Sequence, residues 1–352
     1  MPFTLSPDEG VRFKDQNGFR MPSSVLLPLF SAVDAVGKEV DWPSIDFITD
    51  RNGLRKLMRW IDTGVETKDF RIDLELVGER TVLLNRWEAN TQDVASGRTF
   101  GFSFERATTS AAPGCEASTA HHRIVKYVAP RHLSMDHMSL TRRCPQDFFG
   151  LKTIVRFEVD ACLPSAKPRS SRMSAATLDD LTDSLAGLKI EREGKATTSA
   201  TPSRPTKKKD DTSSAPALKI IRAGSEVPQS SIIELTTRSV IRINELDWTE
   251  IYPQLYLSQT PWYYIGIHSR GTFTEVRKSN LTGDGMAAQR RQAKASVQKL
   301  GQVLEMIQEA VIAHGVERRL SLVCQQGVLK VYEQSSKESC LPDDVRKRFD
   351  PA

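Results

Sequence analysis

The sequence predicts an α/β protein with flanking helices and a long disordered insertion. Three observations predict it. Short apolar runs alternate with polar residues at a period of two, the mark of strands with one buried face. One stretch, Met286 to His314, carries Val297, Leu300, Leu304, Ile307 and Val311 at helical spacing. Residues 164–230 are rich in Pro, Ser, Lys and Thr and too poor in apolar residues to build a core.

Residues 1–45, with Pro at 2, 7, 22, 28 and 43, read as a loosely structured lead-in. Leu54, Leu57, Met58 and Ile61 then recur at helical spacing, and Thr49 or Asp50 can cap that helix. Phe70–Val77 and Thr81–Trp87, separated by a Gly-Glu turn, predict a β-hairpin. Arg98–Arg106 alternates with Phe100, Phe102 and Phe104 on one side, which predicts another strand. Leu151–Cys162 predicts a strong strand. Beyond the insertion, order resumes at Ile232, with a helix over Trp248–Leu257 and paired strands over Trp262–His268 and Thr272–Arg277. Leu320–Cys324 and Gly327–Tyr332 close as a terminal hairpin. The simplest organisation is a single α/β domain over 46–338, interrupted by 164–230 and followed by a C-terminal tail at 339–352.

The 352 residues suffice for two domains or one large one, and an apolar content of 39% suffices for a real core. No run is apolar enough to span a membrane, so no membrane partner is expected. The first residues lack the pattern of a secretory signal, and five Cys without a Cys-x-x-Cys pair fit a reduced compartment. The expected location is the nucleus or cytoplasm, not the secreted space. The net charge of +5 is concentrated in the insertion, where 12 Lys and Arg face 8 Asp and Glu. Global charge therefore does not argue for a nucleic-acid surface.

Three acidic stations carry the chemistry. Glu105 ends Gly101-Phe102-Ser103-Phe104-Glu105, Glu158 and Asp160 flank Val159, and Glu234 opens Glu234-Leu235-Thr236-Thr237. Residues two apart share a strand face, so Glu158 pairs with Asp160 and Glu234 with Thr236, opposite their apolar neighbours. Any one of these acids is most simply a solvated edge residue. Together, beside apolar flanks, they suit a hard divalent cation, Mg²⁺ or Mn²⁺, because crowded carboxylates repel unless a cation holds them.

In this order the motifs resemble the DXO-type decapping exonuclease family, a branch of the PD-(D/E)xK nuclease superfamily. Phe47 through Leu57 is similar to that family's opening Arg-Gly segment, and Phe70 through Glu88 to the hairpin that follows. Gly101–Glu105 matches its Gly-Tyr-x-Phe-Glu, Glu158-Val159-Asp160 its Glu-x-Asp, and Glu234-Leu235-Thr236-Thr237 its Glu-Leu-Lys-Thr. Ser258-Gln259-Thr260, leading to Gly266 and Gly271, is similar to its Gln-Ser and Gly turn. The chain looks like a fungal group carrying Glu-Leu-Thr-Thr-Arg. The resemblance implies a mixed β-sheet PD-(D/E)xK-like nuclease core. It implies metal ligands at Glu105, Glu158, Asp160 and Glu234, and a catalytic group of Glu158, Asp160, Glu234 and Thr236. It implies contacts from Arg51 and Gln259 to the RNA backbone or 5′ end.

Thr236 stands where the family carries Lys, which positions water and offsets charge. Arg238 shares the strand face of Thr236 and Arg156 that of Glu158, so either could lend charge to bound substrate but not act as a base. The expected function is metal-dependent hydrolysis of phosphate bonds at RNA 5′ ends, weakened by the missing Lys. The alternative is an inactive pseudonuclease that binds RNA or protein, with the 164–230 insertion as the arm for a protein partner.

Other patterns are better read as structural. Asp179-Asp180-Leu181-Thr182-Asp183 resembles the Mg²⁺ motif of prenyl diphosphate synthases, but those use two such motifs on facing helices. His121, His122, His132 and His137, with Cys115 and Cys144, match no zinc spacing. Arg55, Lys56 and Arg59 read as a solvated helix face with Trp60 packed inward, and Lys207–Lys209 as solvated linker.

Overall fold

The computed structural model describes residues 2–118, 120–127, 150–164 and 218–351. Residues 165–217 of the expected insertion, with the run at 179–183 and Lys207–Lys209, lie outside the described residues. So do His132, His137 and Cys144. Described residues of 1–163 and 218–352 form one unit.

The chain opens with β1 (Phe3–Thr4), β2 (Val11–Phe13), α1 (Gln16–Arg20) and α2 (Leu27–Val36). Next come β3 (Phe47–Asp50), α3 (Arg51–Thr63), the hairpin β4 (Phe70–Val77) and β5 (Thr81–Trp87), β6 (Gln92–Val94) and α4 (Gly101–Thr108). β7 (His122–Tyr127), β8 (Thr153–Glu158) and β9 (Ala161–Cys162) precede the insertion. After it come β10 (Ile232–Ser239), α5 (Trp248–Leu257), β11 (Trp262–Ser269), β12 (Thr272–Asn280) and α6 (Ala287–His314). β13 (Leu320–Gln325), β14 (Val328–Glu333) and α7 (Asp343–Arg346) end the chain.

Two mixed sheets result. The larger runs β14-β13-β4-β5-β3-β8-β7, with β3 parallel to both β5 and β8. The smaller runs β1-β12-β11-β10-β9, with β10 and β11 parallel. The larger sheet is buried on both faces, so neighbouring residues of one strand enter different cores. Phe47, Leu84 and Val155 join Leu54, Leu57, Leu300 and Leu304 beneath α3 and α6. Ile48, Leu83 and Ile154 join Leu26, Leu29 and Phe30 on the far side. Each such Leu contributes about 1.5–3 kcal/mol by burial.

That second core corrects the expected domain ends. Leu26, Leu29, Phe30 and Trp42 of the supposed lead-in pack with Leu341, Val345 and Phe349 of the supposed tail. The prolines mark ordered chain, not looseness: Pro22 stands in a turn, Pro28 in the first turn of α2 and Pro43 in a short 3-10 helix. The described end of the insertion is also engaged: Gln229 Nε2 donates to the carbonyls of Ser258 (3.0 Å) and Gln259 (2.9 Å), and Arg123 donates to Val227 O (2.7 Å).

The strand expected over 98–106 is a helix, α4. Phe100 and Phe104, four apart, form one buried cluster with Phe273, while Phe102 is exposed. Phe100 and Phe104 fit both periods, Phe102 only the strand's, and packing chose the helical one. Gly266 permits it. A Cβ there would lie 2.6 Å from the Phe104 ring, so the bare backbone of β11 is what seats α4.

Candidate metal centre

The acids lie around the place where the two sheets adjoin. β8 belongs to the larger sheet and β9 to the smaller. Glu158 is the last residue of β8, and Asp160 stands in the two-residue break before β9. Glu234 enters from β10, and Glu105 from α4 rather than from a strand.

Distant residues hold each of them. Asp8 sits outside α4 and caps it, accepting hydrogen bonds from Ser103 N (2.8 Å), Phe102 N (3.4 Å) and Thr99 Oγ1 (2.9 Å). It thereby satisfies amides that the helix start leaves open. Asp160 accepts from Leu235 N at 2.7 Å, which ties it to the β10 backbone. Glu234 accepts from Arg51 Nη1 at 2.9 Å and from Gln254 Nε2. Arg51 also donates to Ser258 Oγ (3.3 Å).

The electrostatics are those of a crowded anionic site. Burial, then Glu158 and Glu234, push the Glu105 carboxyl up to about 7. Asp160 is raised well above the usual range by burial and next by Glu234. Glu158 opens to solvent at the strand end, yet the surrounding protein still raises it, with Glu234 adding to the effect and Arg51 opposing it. Deprotonating all of them needs a positive partner. Oxygen-only donors of this kind suit a hard divalent cation. As the side chains stand, no three acids among the described residues converge on one point, and Arg51 satisfies Glu234 instead.

The expected substrate cations divide. Arg51 is in the site, paired to Glu234. Arg156 is not open to it. Although its place in β8 gives it the face of Glu158, it is 3% exposed and clamps Asp50 at 2.7 and 2.9 Å while donating to Val25 O. Arg238 remains beside the site and donates to Thr237 O at 3.2 Å. Gln259 occupies a left-handed turn (φ 52°). Its side chain meets the Tyr127 hydroxyl and its Nε2 is buried without a partner.

Several participants escaped the sequence reading. Arg12 lies 3.6 Å from the Phe102 ring centroid and favours ionisation of Glu105, as Arg86 and His121 do for Glu158. Tyr263 is registered with Glu234 across β10–β11, and its hydroxyl meets that of Thr236. Burial, more than any neighbour, pushes its pKa up to about 12. Only the His121-His122 pair offered a signal of its own type. His122, although it reaches solvent, is held down to about 4 by the protein packed around it and then by Arg156. Arg55 and Arg59, expected on a solvated face, instead meet Glu250 of α5 at 3.1 and 2.6 Å.

The structure is thus a mixed α/β fold with acids grouped where its two larger sheets adjoin. The chain belongs to the family described as "Domain of unknown function (DUF8563)", whose model matches residues 1–350. No curated protein matches it. Among solved structures, S. pombe Rai1 in complex with 3'-FADP is 12% identical with a TM-score of 0.50, covering 95% of this chain and 80% of that one. Scheffersomyces stipitis Rai1 in complex with (3'-NADP)+ and calcium ion is 10% identical with a TM-score of 0.51, covering 92% and 77%. The fold is thus that of the DXO-type decapping exonucleases, in a divergent form.

Proposed function

We propose that the chain processes RNA 5′ ends by metal-dependent hydrolysis of phosphate bonds, in the manner of a decapping exonuclease. The observation that carries this is the grouping of Glu105, Glu158, Asp160 and Glu234 about the β8–β9 break, where burial raises the carboxyls of Glu105, Glu158 and Asp160 and acid neighbours add to it. The fold it shares with Rai1, whose structures hold 3'-FADP or (3'-NADP)+ and calcium, supports the reading.

These four acids would hold Mg²⁺ or Mn²⁺, which supplies positive charge to phosphate oxygens. Arg51 moves between two tasks, neutralising Glu234 alone or meeting RNA phosphate. Arg238 supplies charge beside it, and Gln259 contacts the RNA end. In the reaction a water oxygen bonds to phosphorus as the bond to the leaving oxygen breaks. The water proton passes to a carboxylate of the cluster and the leaving oxygen takes one from solvent. Thr236 offers a hydroxyl without charge, which costs about 10²–10³ in rate relative to a fully equipped site.

A second reading rests on two observations, the absent lysine and the Arg51–Glu234 ion pair. It is an inactive pseudonuclease that holds RNA, with a protein partner docked on the 164–230 insertion. The deciding experiment incubates the protein with 5′-triphosphate, 5′-monophosphate and capped RNA in Mn²⁺, beside an Asp160→Ala, Glu234→Ala double variant. Cleavage by the parent alone establishes the enzyme. RNA binding without cleavage rejects it in favour of the second reading.

A further inference from the structure

The β10–β11 register puts an aromatic hydroxyl beside Thr236. The two strands run parallel with Glu234 opposite Tyr263, so these residues share a face about 4.8 Å apart. Glu234, Thr236 and Arg238 line that face along β10. Tyr263 is 4% exposed, and its ring is packed in the core formed with Tyr252, Leu255 and Ile265, with Trp248 edge-on at 5.9 Å. A ring fixed on that side has one direction for its hydroxyl. It meets the Thr236 hydroxyl and lies close enough to Arg238, Glu234 and Asp160 to feel their charges. Threonine is short and tyrosine long, so the pair brings a hydroxyl group to the acids from the neighbouring strand.

We propose, on the reading of this cleft as a site for RNA phosphate, that Tyr263 is a phosphate-binding residue whose hydroxyl, steadied by Thr236, donates a hydrogen bond to a non-bridging phosphate oxygen of bound RNA. Tyrosine is a neutral donor at ordinary pH. It orients an anion without adding a positive charge that would compete with a cation for the carboxylates. It therefore restores the geometric part of what a lysine at position 236 supplies and leaves out the electrostatic part. Arg238, on the same face, lies near enough to share the phosphate.

The test measures binding of a fluorescent 5′-phosphorylated pentanucleotide in Ca²⁺ by anisotropy, with hydrolysis in Mn²⁺ followed separately. Tyr263→Phe keeps the ring and removes only the donor. It is expected to weaken RNA binding about 10-fold or more, as loss of a hydrogen bond to a charged group does. Thr236→Val removes the steadying hydroxyl and is expected to weaken binding about 3-fold, a part of that loss. Tyr264→Phe, on the opposite face beside Trp262 and Lys278, is the control and should bind as the parent does. Parental binding by Tyr263→Phe, within 2-fold or so on the same scale, overturns the assignment even if the parent cuts RNA. Tyr263-dependent binding in a parent that never cuts keeps the assignment and removes the hydrolysis reading. A parent that binds no RNA overturns both.

Discussion

Two acid stations in this molecule, one fully buried and one opening to solvent, use the same side chains to opposite ends. Glu75, in the middle of β4 and 2% exposed, is fully partnered. It meets Arg319 at 3.1 Å, accepts from Cys340 N at 2.9 Å and takes a further bond from Ser339 Oγ. Every contact ties the C-terminal segment to the larger sheet. At the sheet junction, Glu105, Glu158 and Asp160 have acid neighbours, and their carboxyls are raised. A buried carboxylate with its own cation is architecture. A group of them short of positive charge stores a demand for a ligand.

The sharpest way to break this contrast is to remove Glu75. Glu75→Ala strands the Arg319 guanidinium, only 6% exposed, and releases the backbone of Cys340. Breaking a buried pair from one side costs about 3–5 kcal/mol. Thermal unfolding should show that loss, whereas Asp160→Asn at the crowded station should hold or raise the melting temperature of the metal-free protein. If both variants destabilise equally, the two stations do not differ in kind.

Next in size is the restored lysine. Thr236→Lys should raise Mn²⁺-dependent RNA hydrolysis by about 10²-fold. An unchanged rate in an otherwise RNA-binding protein would locate the deficit elsewhere, at the Arg51–Glu234 pair first.

The pH dependence sharpens the comparison further. With its carboxyl raised from 4.5 to about 7, Glu105 keeps its proton in the folded state after the unfolded chain has lost it. Between those values the folded state binds more protons, so stability falls as pH rises. The Glu105 contribution is on the order of 2 kcal/mol after allowing for partial exposure. Metal-free protein should therefore melt lower at pH 8 than at pH 5. Mn²⁺ should restore more at pH 8, and Glu105→Gln should flatten the profile. A profile that rises with pH in the metal-free protein would contradict the crowding.

The smallest effect concerns Asp8, a buried acid that serves both ends of the contrast. Asp8→Ala removes the cap of α4 and should cost about 1 kcal/mol in stability. Because α4 carries Glu105, it should also lower Mn²⁺ affinity measured by calorimetry. A stability loss with unchanged affinity would confine Asp8 to architecture.

Much of this was legible beforehand. α3, the β4–β5 hairpin, α5, α6 and the final hairpin follow from apolar spacing that neighbours along the chain supply. The order of acids pointed to one shared centre; the fold groups them without bringing any three of the described acids to one point, and Arg51, expected on RNA, pairs with Glu234. α4 was misread because Phe100 and Phe104 satisfy two periods at once and Phe102 completed the strand pattern. Arg156 was misassigned because alternation gives a side chain's face but not the partner waiting on it.

By itself the sequence determined most of the strands and helices, α4 excepted, because periods of two and of three to four are written in nearest neighbours. It also determined that four acids and a threonine stand on those segments. Only tertiary structure decided the pairings: Arg51 with Glu234 across 183 residues, Arg156 with Asp50, Asp8 beneath α4, Tyr263 beside Thr236. The physical reason is reach. Periodicity is a property of a few residues in a row, whereas a charge finds its partner only after sheets cross and helices pack.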